Sequence, residues 1–110
     1  MSDEHDGLDG PDGAAWRAIV EETVGFGRDS HRWEITHVEA CPSRDEARRA
    51  ASILAESHRP EHPRSPRNRC VYQVGDDTWL VRLSGMTSEY HFRVYAARLI
   101  GGSDAYYRAP

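Results

Sequence analysis

Residues 43–58, SRDEARRAASILAESH, limit the fold of this chain more than any other stretch. Ser43 and Glu46 have the S-x-x-E spacing of a capping box, in which two side chains satisfy backbone N–H groups that a first helical turn leaves without partners. Behind the cap, Ala47, Ala50, Ala51 and Leu54 recur at i, i+3, i+4 and i+7, which places them on one helical face. That face is narrow and mostly alanine. Side chains so short bring the helix backbone close to whatever it covers, and a β-sheet accepts that approach. Pro60 lies just beyond the end, where the helix cannot continue.

The sheet has to come from the flanking segments. Residues 70–83, CVYQVGDDTWLVRL, read as a β-hairpin with its turn around Gly75–Asp77. A two-residue turn would put Cys70, Tyr72, Val74, Trp79, Val81 and Leu83 on the core side, with Val71, Gln73, Leu80 and Arg82 opposite. Residues 32–41, RWEITHVEAC, are β-prone and end at Pro42. Ile35 and Val38 there have opposite parity, which a bulge or burial on both sides would reconcile. Residues 91–101 read as a last strand, with Phe92, Val94 and Ala96 inward and His91, Arg93 and Tyr95 outward. Towards the N-terminus, Trp16, Ile19, Val20 and Val24 suit one face of a helix starting near Gly13, capped by Asp12 and stopped at Gly25 and Gly27. The expected fold is α+β: a two-layer sandwich of about four mostly antiparallel strands with two helices on one face, in the order α-β-α-β-β-β. Residues 13–101 form one domain in this reading. Residues 1–12 are an acidic, disordered tail and residues 102–110 a flexible end.

A length of 110 residues is one domain's worth. No apolar run approaches the roughly 20 residues that span a bilayer. The opening MSDEHDGLDGPDG has neither the basic nor the apolar region of a signal peptide, so a cytoplasmic location is expected. Cys41 and Cys70 are expected to be reduced there. All 14 basic residues are arginine. The net charge of −4 is unevenly spread: residues 1–30 carry eight acids and two arginines (−6), and residues 31–110 carry ten acids and twelve arginines (+2).

The positive charge gathers in HRPEHPRSPRNR, residues 58–69, whose net charge is +3 with neutral histidines. Pro60, Pro63 and Pro66 recur every three residues, the period of polyproline II. Arginine's planar fork bonds carboxylates and phosphates bidentately. Arg59, His62, Arg64, Arg67 and Arg69 in the loop, with Arg82, Arg93 and Tyr95 on the outer sheet face, are therefore the candidate partner-binding residues. The solvated crossover of a helix to a strand is the plainer reading of the same loop.

Other chemistries have fewer residues behind them. Cys41, two residues before a helix N-cap and near Arg44, is placed to be a reactive thiolate, but position 44 is Arg rather than a resolving cysteine. The six histidines make no H-E-x-x-H or similar metal spacing, and no nucleophile–base–acid set can be assembled. No metal, cofactor or catalytic residue is expected. The expected function is a cytoplasmic, non-catalytic, protein-binding or regulatory module that sets its Arg/Pro loop and the adjoining sheet edge against an acidic partner surface. A nucleic-acid binder using the loop and the outer sheet face is the alternative, although a pI of about 5.8 runs against phosphate neutralisation. A thiol-dependent enzyme centred on Cys41 is the third. The acidic tail would screen the Arg loop in cis.

Overall fold

A computed structural model describes residues 15–24, 32–60, 67–86 and 89–105. The expected tail at 1–12, the Asp12 cap, the glycine stop at 25 and 27, and residues 61–66 of the Arg/Pro loop lie outside those residues. The elements are β1 (Trp16–Val24), β2 (Arg32–Cys41), α1 (Arg44–Ser57), β3 (Asn68–Gln73), β4 (Thr78–Ser84) and β5 (Glu89–Arg98). The strands form one sheet in the order β2-β1-β5-β4-β3, antiparallel at every junction. The fold is α+β, but among the described residues it has five strands and one helix rather than four and two.

The extra strand is the segment expected to be the first helix. β1 lies inside the sheet between β2 and β5, and it carries buried residues on both faces, Ala18 and Val20 on one and Arg17 on the other. Ala18 and Val20 point to the helix side and are fully buried. Ile19, of opposite parity, pairs with Val38 and Tyr95 on the other side. Apolar residues on both parities produce runs that mimic a helical period, and the β-branched content of IVEETV is the signal that favours a strand.

The expected bulge in β2 is present. Val20 pairs with His37 and Glu21 with Ile35, so Thr36 is the extra residue. The shift moves Ile35 onto the face that Val38 occupies, opposite the helix.

α1 begins where the capping pattern places it: the Glu46 N–H donates to Ser43 Oγ at 3.1 Å. Its buried residues are Ala47, Ala51 and Ala55, a single i, i+4 row, with Ala50 and Leu54 packed alongside. The surface beneath consists of Val20, Val81, Leu83, Phe92 and Val94, all fully buried. Each of these is worth roughly 1.5–3 kcal/mol of burial. Arg44 and Arg48 reach sideways to Asp77 at 3.0 and 3.5 Å and fasten the helix to the β3–β4 turn.

That turn corrects the expected hairpin register. The Val74 N–H donates to the Thr78 carbonyl at 2.8 Å, leaving three residues, Gly75, Asp76 and Asp77, in the turn. Gly75 takes φ +76°, a left-handed conformation that suits glycine. One more residue than expected turns β3 over relative to β4. Val71 pairs with Val81 on the helix side, whereas Cys70 and Tyr72 pair with Arg82 and Leu80 on the open face. Cys70, Tyr72 and Val74 are therefore not core residues. Trp79, Val81 and Leu83 face the helix and Arg82 faces away, as the alternation of β4 requires.

Candidate functional site at the basic edge and open face

The loop leaving α1 is held by a network around Glu22, which is 6% exposed on the helix side of β1. His58 Nε2 lies 2.8 Å from its Oε2, and the Thr36 hydroxyl donates to the same oxygen. The Tyr90 hydroxyl lies 2.8 Å from Oε1 and 2.9 Å from the Thr23 carbonyl. Burial alone would raise the Glu22 pKa, but the hydrogen bonds from His58, Thr36 and Tyr90 outweigh it and hold the carboxyl below its usual value. The His58 ring also stands edge-on to Phe92 at 5.0 Å. His58, Thr36 and Tyr90 are all bonded to Glu22, so the cluster is a clasp between β1, β2, β5 and the end of α1.

Arg69 completes the clasp. Its Nη1 and Nη2 donate to the carbonyls of Ala55 and His58, each at 2.7 Å, and so satisfy acceptors that the helix end leaves open. Its guanidinium also lies 5.9 Å from the centre of the Phe92 ring. Burial, then the neighbouring charge of Arg59, push the Arg69 pKa down. Arg69 is thus occupied within the fold, and what it adds to a surface is positive potential.

The other candidates divide into two places. Arg59 and Arg67 are exposed at the ends of the loop, beside β3, which is an outer strand of the sheet. His62 and Arg64 lie outside the described residues. Arg82, Arg93 and Tyr95 share the helix-free face. There, the Arg93 guanidinium stacks 3.9 Å from the Trp33 ring centre and places Nη2 3.1 Å from Glu21 Oε1. Tyr95 donates to the same oxygen at 2.6 Å, and burial with this hydrogen bond pushes its pKa up to about 12. Trp33, Ile35 and Tyr72 are exposed on that face. The sequence reading missed Trp33, Ile35 and Tyr72 as surface residues; the bulge at Thr36 and the three-residue turn put them there. Arg17, also on this face, is buried and clamped by Asp104, with Nε–Oδ2 at 2.7 Å.

Cys41 is buried at the end of β2, beside a groove of about 300 Å³ also lined by Glu39, Glu46, Arg49 and Ile53. Burial and the charge of Glu39 push its thiol pKa up. Arg44, expected to stabilise a thiolate, is drawn away to Asp77. The electrostatics thus oppose a reactive cysteine. Among the described residues no three His, Cys, Asp or Glu side chains lie close enough to share a metal ion, and no helix is long and apolar enough to cross a membrane. Comparison with protein-family models, curated proteins and solved structures finds no match.

Proposed function

We propose that this chain is a small non-catalytic protein-binding module that receives an acidic partner at the β3 edge, between the arginines that close the α1–β3 loop. One observation carries this reading. Among the described residues, Arg17, Arg32, Arg44, Arg48 and Arg93 each have a carboxylate oxygen within 3.5 Å, whereas Arg59 and Arg67, like Arg49 and Arg98 elsewhere, have no ion pair; Arg59 and Arg67 are exposed at the two ends of the loop that leads into the outer strand β3. Arg59 and Arg69 also repel one another there, and a bound carboxylate relieves that repulsion. The open face supports the nucleic-acid alternative less well. Its Trp33 ring is overlain by Arg93, whose charge is matched by Glu21, which leaves Tyr72 and Arg82 as the exposed ring and cation for a base or a phosphate.

Fluorescence anisotropy with labelled polyglutamate and with oligothymidylate, each over a salt series, tests the reading. Polyglutamate should bind, and R59A/R67A should weaken it by about tenfold, the effect of losing one or two charge-assisted contacts. Tighter binding of oligothymidylate, with a steep linear fall of log affinity against log salt, would replace this reading with the nucleic-acid one.

A further inference from the structure

The sheet has two edges, and they differ in how ready they are to accept another strand. β2 is ten residues long but broken by the bulge at Thr36, and it carries Glu34 and Glu39 among its exposed residues. Bulges and mixed charges are the usual protection of an edge. Over Asn68–Gln73 β3 has neither device, and the ladder steps out of register only at Arg67, whose N–H donates to the Ser84 carbonyl at 2.7 Å. Its register against β4 is regular from Asn68 to Gln73, and it has no proline and no acid.

The backbone of β3 is also correctly phased. In an antiparallel ladder, alternate residues turn both N–H and C=O to one neighbour and the residues between turn theirs to the other side. Val74 bonds inward to Thr78, so Tyr72, Cys70 and Asn68 face β4 in the same way. Arg69, Val71 and Gln73 then present their N–H and C=O groups to the side where, among the described residues, no strand lies. Along this edge the charge runs from Arg67 and Arg59 at the start of β3 to Asp76 in the turn at its end. Asp77 is already taken by Arg44 and Arg48.

We propose that β3 takes an extended segment of a partner protein as a sixth strand, with the segment's carboxylates at the end beside Arg59 and Arg67. This rests on the acidic-partner reading and adds a mode of recognition to it. Main-chain hydrogen bonds to Arg69, Val71 and Gln73 supply affinity, and the arginines choose the sign and direction of the guest. The middle of the guest lies beside Val71 on the helix side and Tyr72 on the open face, where β-branched side chains fit best.

The test uses the full chain and a labelled, end-blocked hexapeptide, Thr-Val-Thr-Val-Glu-Glu. Two further versions carry backbone N-methyl groups on alternate residues, one in each phase, so the charge is kept while one edge of the peptide loses its donors. Strand addition requires one phase to bind about tenfold or more weakly and the other to bind like the parent, because only one edge of the guest faces β3. The amides of Arg69, Val71 and Gln73 should exchange more slowly in the complex. Equal affinity of both N-methylated phases, with R59A/R67A still weakening all three peptides, overturns strand addition and leaves the acidic-partner reading standing. Loss of one phase with no effect of R59A/R67A overturns the acidic-partner reading instead. Failure of the parent peptide to bind at millimolar concentration, while polyglutamate binds, also overturns strand addition.

Discussion

The two faces of the sheet are built from the same five strands, yet they hold their residues by different means. On the helix side, Val20, Val81, Leu83, Phe92 and Val94 interlock beneath an alanine row and exclude water altogether. On the open side, Trp33 is 37% exposed and Ile35 50%, and order comes from pairwise contacts such as Arg93 on Trp33 and Tyr95 on Glu21. Packing that excludes water is cooperative and expensive to disturb. Pairwise polar contacts at a surface are worth little singly. The helix side is therefore the source of stability, and the open side and the β3 edge are free to vary with what they bind.

The largest expected effect tests that contrast directly. Trp79 is 8% exposed on the helix side. Trp79→Ala should cost about 3–5 kcal/mol in denaturant unfolding, as large-to-small core changes do. Trp33→Ala on the open face should cost only about 1 kcal/mol, most of it the cation–π contact with Arg93. Equal losses would mean that both faces are core, and the comparison would collapse.

The Glu22 clasp gives the next largest effect. Glu22→Gln should lose about 1–3 kcal/mol, because partners arranged around a buried carboxylate are left mismatched. The sign of the pH dependence follows from the lowered pKa of Glu22 in the folded protein. The contribution is fully present above the unfolded value near 4.5 and is lost as pH falls through the folded value. Melting curves taken from pH 6 down to pH 3 should therefore drop more steeply for the wild-type chain than for Glu22→Gln. Parallel curves would show that the carboxylate has no special hold on the fold.

How much of this could be read from residues alone depended on whether the deciding signal was local. The α1 cap at Ser43 and Glu46 is a short-range pattern, and it was legible. So was the alternation of β5, whose inward residues Phe92, Val94 and Ala96 are the buried ones. The bulge in β2 was legible as a clash of parity between Ile35 and Val38. β1 was not, because a strand with neighbours on both sides and cover on both faces loses its period of two. The facing of β3 turned on a single residue in the Gly75–Asp77 turn, and GDD is compatible with two-residue and three-residue turns alike. The second role of Arg69 depends on the helix end that happens to lie above it, a contact between residues 11 and 14 positions apart.

Cysteine chemistry separates the two sides on a smaller scale. Cys41 is buried and Cys70 only partly so. With its pKa raised by burial and by Glu39, Cys41 should react with iodoacetamide at neutral pH more slowly than Cys70, followed by mass spectrometry. Faster labelling of Cys41 would restore the thiol-enzyme alternative.

The smallest expected effect on stability is at Arg82, and it is the most useful for dividing the open face from the β3 edge. Arg82 is exposed, and among the described residues its ion-pair partner is Glu89, 4.0 Å away, at the limit of such a contact. Removing such a side chain leaves a fold almost untouched. Arg82 lies on β4, opposite Cys70, so one strand separates it from the outer edge of β3. A guest strand added at β3 would sit two strand spacings away, roughly 10 Å, about one screening length at physiological salt. Arg82→Ala should therefore leave the melting midpoint unchanged and weaken the acidic hexapeptide much less than R59A/R67A, with the difference vanishing as salt is raised. If Arg82→Ala weakens the peptide as much as the double variant does, the guest lies across the open face rather than along the edge, and the face now read as idle would be the one that recognises the partner.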